Sequence, residues 1–195
     1  MFHMSVQNET SVFLVTSARR GEGVSTVARK LARSFSRNRS EAILVDCNLL
    51  PSAEFESREK ERFQGLTEVI EDSLSVKSVV RVDMRDRLSF LPAGRGTSSP
   101  IKAIASGQFQ ASIQYLREKY DWIILDGPPV STCPESTELA RIADIVILVV
   151  RAEDTRAEVI EQTKRTLERT GTKIAGAILN RRRYYIPPFI YKHLT

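Results

Sequence analysis

The segment Thr16-Ser17-Ala18-Arg19-Arg20-Gly21-Glu22-Gly23-Val24-Ser25-Thr26 combines residue types that together can hold a phosphorylated ligand. Gly21 and Gly23 let the backbone approach a bound anion, while Ser25 and Thr26 offer hydroxyls to a metal ion or to phosphate oxygens. Arg19 and Arg20 add two cations able to fork onto phosphate. The stretch follows the apolar run Val12-Phe13-Leu14-Val15 and precedes a helical pattern of Val27, Leu31, Ala32 and Phe35. Strand, glycine loop, helix is a layout that aims backbone N–H groups and the positive end of a helix at phosphates. Two positions depart from the usual pattern of such a loop. Ala18 stands at the first glycine, and Val24 stands at the lysine.

Two carboxylates complete the chemistry. Asp46 closes the apolar run Ala42-Ile43-Leu44-Val45, and Asp126 closes Trp122-Ile123-Ile124-Leu125 just before Gly127-Pro128-Pro129. Short apolar runs of this kind read as buried parallel strands, and ligands of parallel sheets sit at the carboxyl ends of the strands. Ser17, Asp46 and Asp126 all fall at such ends.

The elements that must position these groups alternate. Strands are expected at about 12–16, 42–46, 79–82, 88–91, 121–126, 145–150 and 174–179. Helices are expected at about 25–38, 66–73, from Pro100, after Gly107 to near Tyr120, 135–143 and 155–169, with Gly171 as a C-terminal cap. The pattern predicts one α/β domain, with a mainly parallel sheet and helices on both faces. The expected division is a disordered N-terminus over 1–11, the nucleotide-binding type of domain over 12–180, and a basic and aromatic tail over 181–195.

The 195 residues carry a net charge of +5, with 42% hydrophobic and 27% charged side chains, as in an ordinary globular domain with a filled core. Arg29, Lys30, Arg33 and Arg37 read as a solvated helix face. No aromatics interleave with them, so specific nucleic-acid binding is not expected. Two cysteines far apart and two histidines near the termini assemble no metal site. The N-terminus lacks an apolar signal region, and the run Ile145–Val150 is too short to span a bilayer. A cytoplasmic location with reduced thiols is the expectation.

Taken together, RRGEGVST, ILVDCNLLP and DWIILDGPPV resemble, in order, the Walker A, Walker A′ and Walker B motifs of the bacterial tyrosine kinases. These serve capsule and exopolysaccharide synthesis and lie within the MinD/ParA-like deviant-Walker P-loop ATPases. GLTEVIEDS, LSFLPAG, the SSPIKAIASGQF region, ADIVILVVRA and ILN extend the resemblance across most of residues 12–180. It implies ATP or ADP with Mg²⁺ as ligands wherever the site is functional. Arg19, Arg20, Gly21, Glu22, Gly23, Val24, Ser25 and Thr26 would then form the phosphate loop, with Arg151 and Asn180 near the base. Ser25, Asp46 and Asp126 would serve the metal, and Asp46 and Asp126 would be the catalytic acids. Tyr184, Tyr185 and Tyr191 would be the phosphoacceptor candidates.

The departures bear on activity. Val24 removes the family's lysine, Asn48 replaces the second acid of Walker A′, and the arginine usual soon after it is absent near Leu50. The resemblance therefore implies a degenerate Walker A and a pseudokinase that regulates polysaccharide synthesis or export. Such a protein would work at the cytoplasmic face of a membrane co-polymerase or chain-length-determinant protein, held peripherally at the inner membrane by that partner. An active ATP-dependent tyrosine autokinase and a MinD/ParA-like positioning ATPase are the alternatives. Arg19 or Arg20 is expected to supply the missing charge, within the chain or across a homodimer.

Overall fold

A computed structural model of the chain describes residues 11–36, 40–51, 64–83 and 88–181. Its strands are β1 (Ser11–Ser17), β2 (Ala42–Asp46), β3 (Arg81–Asp83), β4 (Leu88–Leu91), β5 (Trp122–Asp126), β6 (Ile145–Arg151) and β7 (Lys173–Asn180). Its helices are α1 (Val24–Ser36), α2 (Leu66–Glu71), α3 (Val76–Val79), α4 (Pro100–Ile104), α5 (Gly107–Arg117), α6 (Glu135–Ile142) and α7 (Ala157–Glu168). The strands form one sheet in the order β3-β4-β2-β5-β1-β6-β7, and every pairing is parallel except β3 with β4.

Alternation along each strand builds two cores. Ile123 and Leu125 point to one face, with Leu14, Ile43, Val45, Leu91 and residues of α2 to α7. Ile124 points to the other face, with Val15, Leu44, Val149 and the α1 side chains Ala28 and Ala32. The two small residues, four apart on one helix face, let α1 lie close to the sheet. Phe35 stacks on Trp122 with ring centroids 4.5 Å apart, closing the amino end of that layer.

One expected strand is corrected. Val79 ends helix α3, and a strand forms only over Arg81–Asp83 in place of the one expected at 79–82. Val76 and Val79, three apart, face the core, while the three residues of β3 are exposed. Burial at helical spacing outweighs the β preference of valine here. The glycine expected to cap α7 does so, with Gly171 at φ 83°.

Glu68 explains why the segments around α2 and after β4 belong together. Its carboxylate is 5% exposed and accepts from the N–H of Gly65 at 2.6 Å and of Arg95 at 3.0 Å. The Leu66 and Thr67 N–H groups meanwhile donate to the carbonyls of Pro92 and Ala93. This clamp lies beside the site: Thr97 N–H donates to the Leu49 carbonyl at 2.8 Å and fixes the chain leaving β2.

Candidate nucleotide site

The phosphate loop is built by β1 and α1. After Ser17 the chain turns through Gly21 at φ 83° and Gly23 at φ 93°, and Val24 opens the helix. Both conformations favour glycine. At Gly23 space demands it as well, since a Cβ there would lie 2.1 Å from Asn180 Nδ2. The first N–H groups of α1 have no partner inside the helix and are available to a ligand. Val24, Ser25 and Thr26 line the cavity at this helix end.

Asp126 and Asn48 line the cavity opposite the loop, with Asp46 next to Asp126 in the sheet but not among the lining residues. Asp46 and Asp126 are direct neighbours in the β2–β5 register. Asn48 bridges them. Its backbone N–H and its Nδ2 donate to Asp46 Oδ1 at 3.0 and 3.1 Å, and Nδ2 also reaches the Asp126 carbonyl at 3.2 Å. Burial lifts the Asp46 carboxyl above its ordinary range, against the pull of these bonds. Burial pushes Asp126 further, to about 6; Ser25 draws it back and the Asp46 charge raises it again. Asp126 Oδ1 is buried without a hydrogen-bond partner. An orphaned carboxylate oxygen beside the Ser25 hydroxyl is a donor set suited to a hard cation, so the residues fit Mg²⁺. Cys47, wholly buried in the main core, has its thiol pushed well up by burial and by the Asp46 and Asp126 carboxylates.

Between the loop and Asp126 lies a cavity of about 570 Å³. Gly127-Pro128-Pro129 forms part of its wall and is fixed from behind. Thr16 and Ser136 hydroxyls both donate to the Pro128 carbonyl, at 2.7 and 2.8 Å, and Gly127 N–H donates to the Val15 carbonyl at 2.9 Å. Buried Glu135, from α6, also lines the cavity. Arg20 and Arg181 line it too, whereas Arg19 is not among its walls.

Glu22 turns away from the cavity and locks the loop. It is 1% exposed; its carboxylate accepts from Arg19 N–H at 2.8 Å, from Arg151 N–H at 3.4 Å and from the Thr155 hydroxyl. Asn180 Nδ2 donates to the Glu22 carbonyl at 2.8 Å, and Ser17 Oγ donates to the Arg19 carbonyl at 2.8 Å. Arg151 and Asn180 therefore meet the loop at its back, with the Arg151 side chain 3.9 Å from Asp154. Tyr184, Tyr185 and Tyr191 lie outside the described residues. Two features escaped the sequence reading, the anchoring role of Glu22 and the arrival of Arg181 in the cavity. The second had a signal, since Arg181 directly follows a residue at the carboxyl end of a parallel strand.

Comparison with known proteins agrees with this geometry. The family model described as cellulose biosynthesis protein BcsQ matches residues 10–172. The crystal structure of the VpsO kinase domain superposes with a TM-score of 0.80 at 32% identity, covering 90% of this chain and 86% of that one. The chain belongs to the BcsQ and bacterial tyrosine kinase group of deviant-Walker P-loop ATPases. Tyrosine-protein kinase CpsD of Streptococcus agalactiae serotype III is 27% identical over 176 residues, which are 89% of this chain and 75% of that protein. The cell division ATPase MinD of Pyrococcus furiosus shares the fold, with a TM-score of 0.69 at 20% identity, covering 94% of this chain and 78% of that one. Among the described residues no helix is long and apolar enough to cross a membrane.

Proposed function

We propose that this chain is a regulatory relative of the bacterial tyrosine kinases whose cavity takes Mg²⁺-nucleotide weakly and transfers phosphate poorly or not at all. The observation that carries this is Val24 at the first position of α1, where its isopropyl group lines the cavity at the family's lysine position. A unit charge about 4 Å from a phosphate charge contributes roughly 1–4 kcal/mol at the dielectric of water or of a protein surface. Phosphoryl transfer draws most of its catalysis from such fixed charge. Asn48 points the same way, since its amide ties up Asp46 Oδ1 where the family has a second acid.

Ser25, Asp126 and the helix end support the nucleotide part of this reading. Ser25 and Asp126 would hold Mg²⁺ with Asp46 beside them, and the ion would neutralise phosphate charge when bound. The first N–H groups of α1 would receive phosphate oxygens, while Gly127-Pro128-Pro129 closes one wall. Through the family, the setting is capsule, cellulose or other exopolysaccharide synthesis or export. The chain would act there by contact with the cytoplasmic face of a membrane chain-length-determinant partner.

Incubation with labelled ATP and Mg²⁺, followed by phosphotyrosine detection, tests the reading. The wild type is expected to give background signal, and Val24→Lys to tighten ATP binding about tenfold or more. A clear wild-type signal that disappears in Asp46→Ala would refute the proposal in favour of an active autokinase.

A further inference from the structure

Val24 leaves the helix end of the cavity without a cation, yet two arginines line the same cavity from other elements. Arg20 comes from the phosphate loop. Arg181 comes from the residue that follows β7, in the left-handed conformation at φ 55°. That conformation disfavours a residue with a Cβ, and it redirects the chain at the strand end. Asn180, immediately before it, is fastened to the phosphate loop through the Glu22 carbonyl. The stem of Arg181 is thereby tied to the loop whose lysine position is apolar. Both arginines are exposed, and among the described residues neither side chain has an ion-pair partner.

The cavity also holds the opposite sign. Buried Asp126 and Glu135 line it as well. Cations on the rim with a metal-suited carboxylate at depth match a metal-complexed polyphosphate better than a simple anion, which the carboxylates would repel.

We propose that Arg181, together with Arg20, supplies the phosphate-binding charge that Val24 does not, so that the cavity takes a nucleoside polyphosphate through guanidinium forks. This rests on the reading of the cavity as a nucleotide site. A guanidinium presents two parallel donors to phosphate oxygens and stays charged at any working pH. Arriving from the end of β7 and from the loop, the charge lies on other elements than the helix-borne ammonium of the family. It favours holding the ligand without restoring the charge at the family's lysine position.

Titration of a fluorescent ADP analogue in Mg²⁺ buffer at low salt tests this, using wild type, Arg20→Gln, Arg181→Gln, Arg181→Lys and Arg169→Gln. Arg169 follows α7 at the opposite end of the sheet from the cavity, so its variant controls for net charge. Arg181→Gln should weaken binding about fivefold or more, Arg181→Lys should keep most of the affinity, and Arg169→Gln should bind as the wild type does. Pyrophosphate should compete, with an inhibition constant that moves by the same factor in Arg181→Gln. Adding Val24→Lys to Arg181→Gln should restore affinity. An Arg181→Gln affinity within about twofold of wild type, or a wild type with no saturable binding, would overturn the proposal. The phosphotyrosine assay is read separately. Kinase activity with Arg181-dependent ADP binding refutes only the low-activity reading, while a silent enzyme with Arg181-independent binding refutes only this one.

Discussion

Removing the Glu22 carboxylate tests how the phosphate loop keeps its shape. Its oxygens serve the Arg19 N–H, the Arg151 N–H and the Thr155 hydroxyl, in a side chain that is 1% exposed. Glu22→Ala takes the acceptor from all three donors at once. A buried donor left unpaired costs about 1–3 kcal/mol. Arg19 is exposed, so water takes over part of its bond, and the 3.4 Å contact from Arg151 is too long for full strength. The expected net loss is about 2–3 kcal/mol, which for a chain of this size lowers Tm by about 4–12 °C. Glu22→Gln keeps the shape and one acceptor oxygen but turns an NH₂ group toward one set of donors, so it should fall between the two. The assay is a calorimetric melt of wild type, Glu22→Ala, Glu22→Gln, Thr155→Val and the Glu22→Ala/Thr155→Val double variant. The double variant should cost less than the sum of the singles by more than about 0.5 kcal/mol, because both lose one bond. A Glu22→Ala melt within about 1 °C of wild type, or strict additivity with Thr155→Val, would refute the latch.

Two further outcomes follow from the site. The Asp126 carboxyl sits at about 6 in the fold against an ordinary 3.8, so the folded protein holds this proton more tightly than the unfolded chain. The stability it contributes is complete below about pH 4 and is lost as pH rises through about 6. With divalent metal chelated, wild type should therefore lose about 2–3 kcal/mol between pH 4 and 7 relative to Asp126→Asn. Parallel urea-unfolding profiles for the two proteins would contradict this. Gly127→Ala would place a Cβ 2.6 Å from Leu14 Cδ1 and 3.3 Å from the Val15 carbonyl. Leu14 is fully buried in the main core, so overpacking should cost about 1–3 kcal/mol in chemical denaturation, and an unchanged midpoint would show that the wall yields.

The alternating strands and helices were legible because burial imposes a period. Short continuous apolar runs such as 42–45 and 122–125, alternating with helical patterns, read as strands covered on both faces, and their acids then fall at the ligand end. Segment 79–82 was misread because valine's strand preference is local, while the burial of Val76 and Val79 is set by the core above them. At the site, the glycines, Ser25, Asp46 and Asp126 announced themselves by motif. Arg181 carried only the weak mark of following the carboxyl end of β7, and a run of three arginines does not show which of them the backbone turn delivers to the cavity.

The sequence by itself determined the family, the α/β architecture and the loss of the loop lysine, because each is a matter of residue type at a fixed position along the chain. Only the tertiary structure decided what surrounds Val24. It turned Glu22 into an anchor for the loop, set Asn48 between two acids, left Arg19 off the cavity wall and brought Arg181 onto it. The contacts of Glu22 with Thr155 and Asn180 join residues more than a hundred positions apart, and sequence spacing carries no record of them. Their geometry follows from the parallel order of β1, β6 and β7, which brings the end of β7 and the loop after β1 to the same carboxyl end of the sheet.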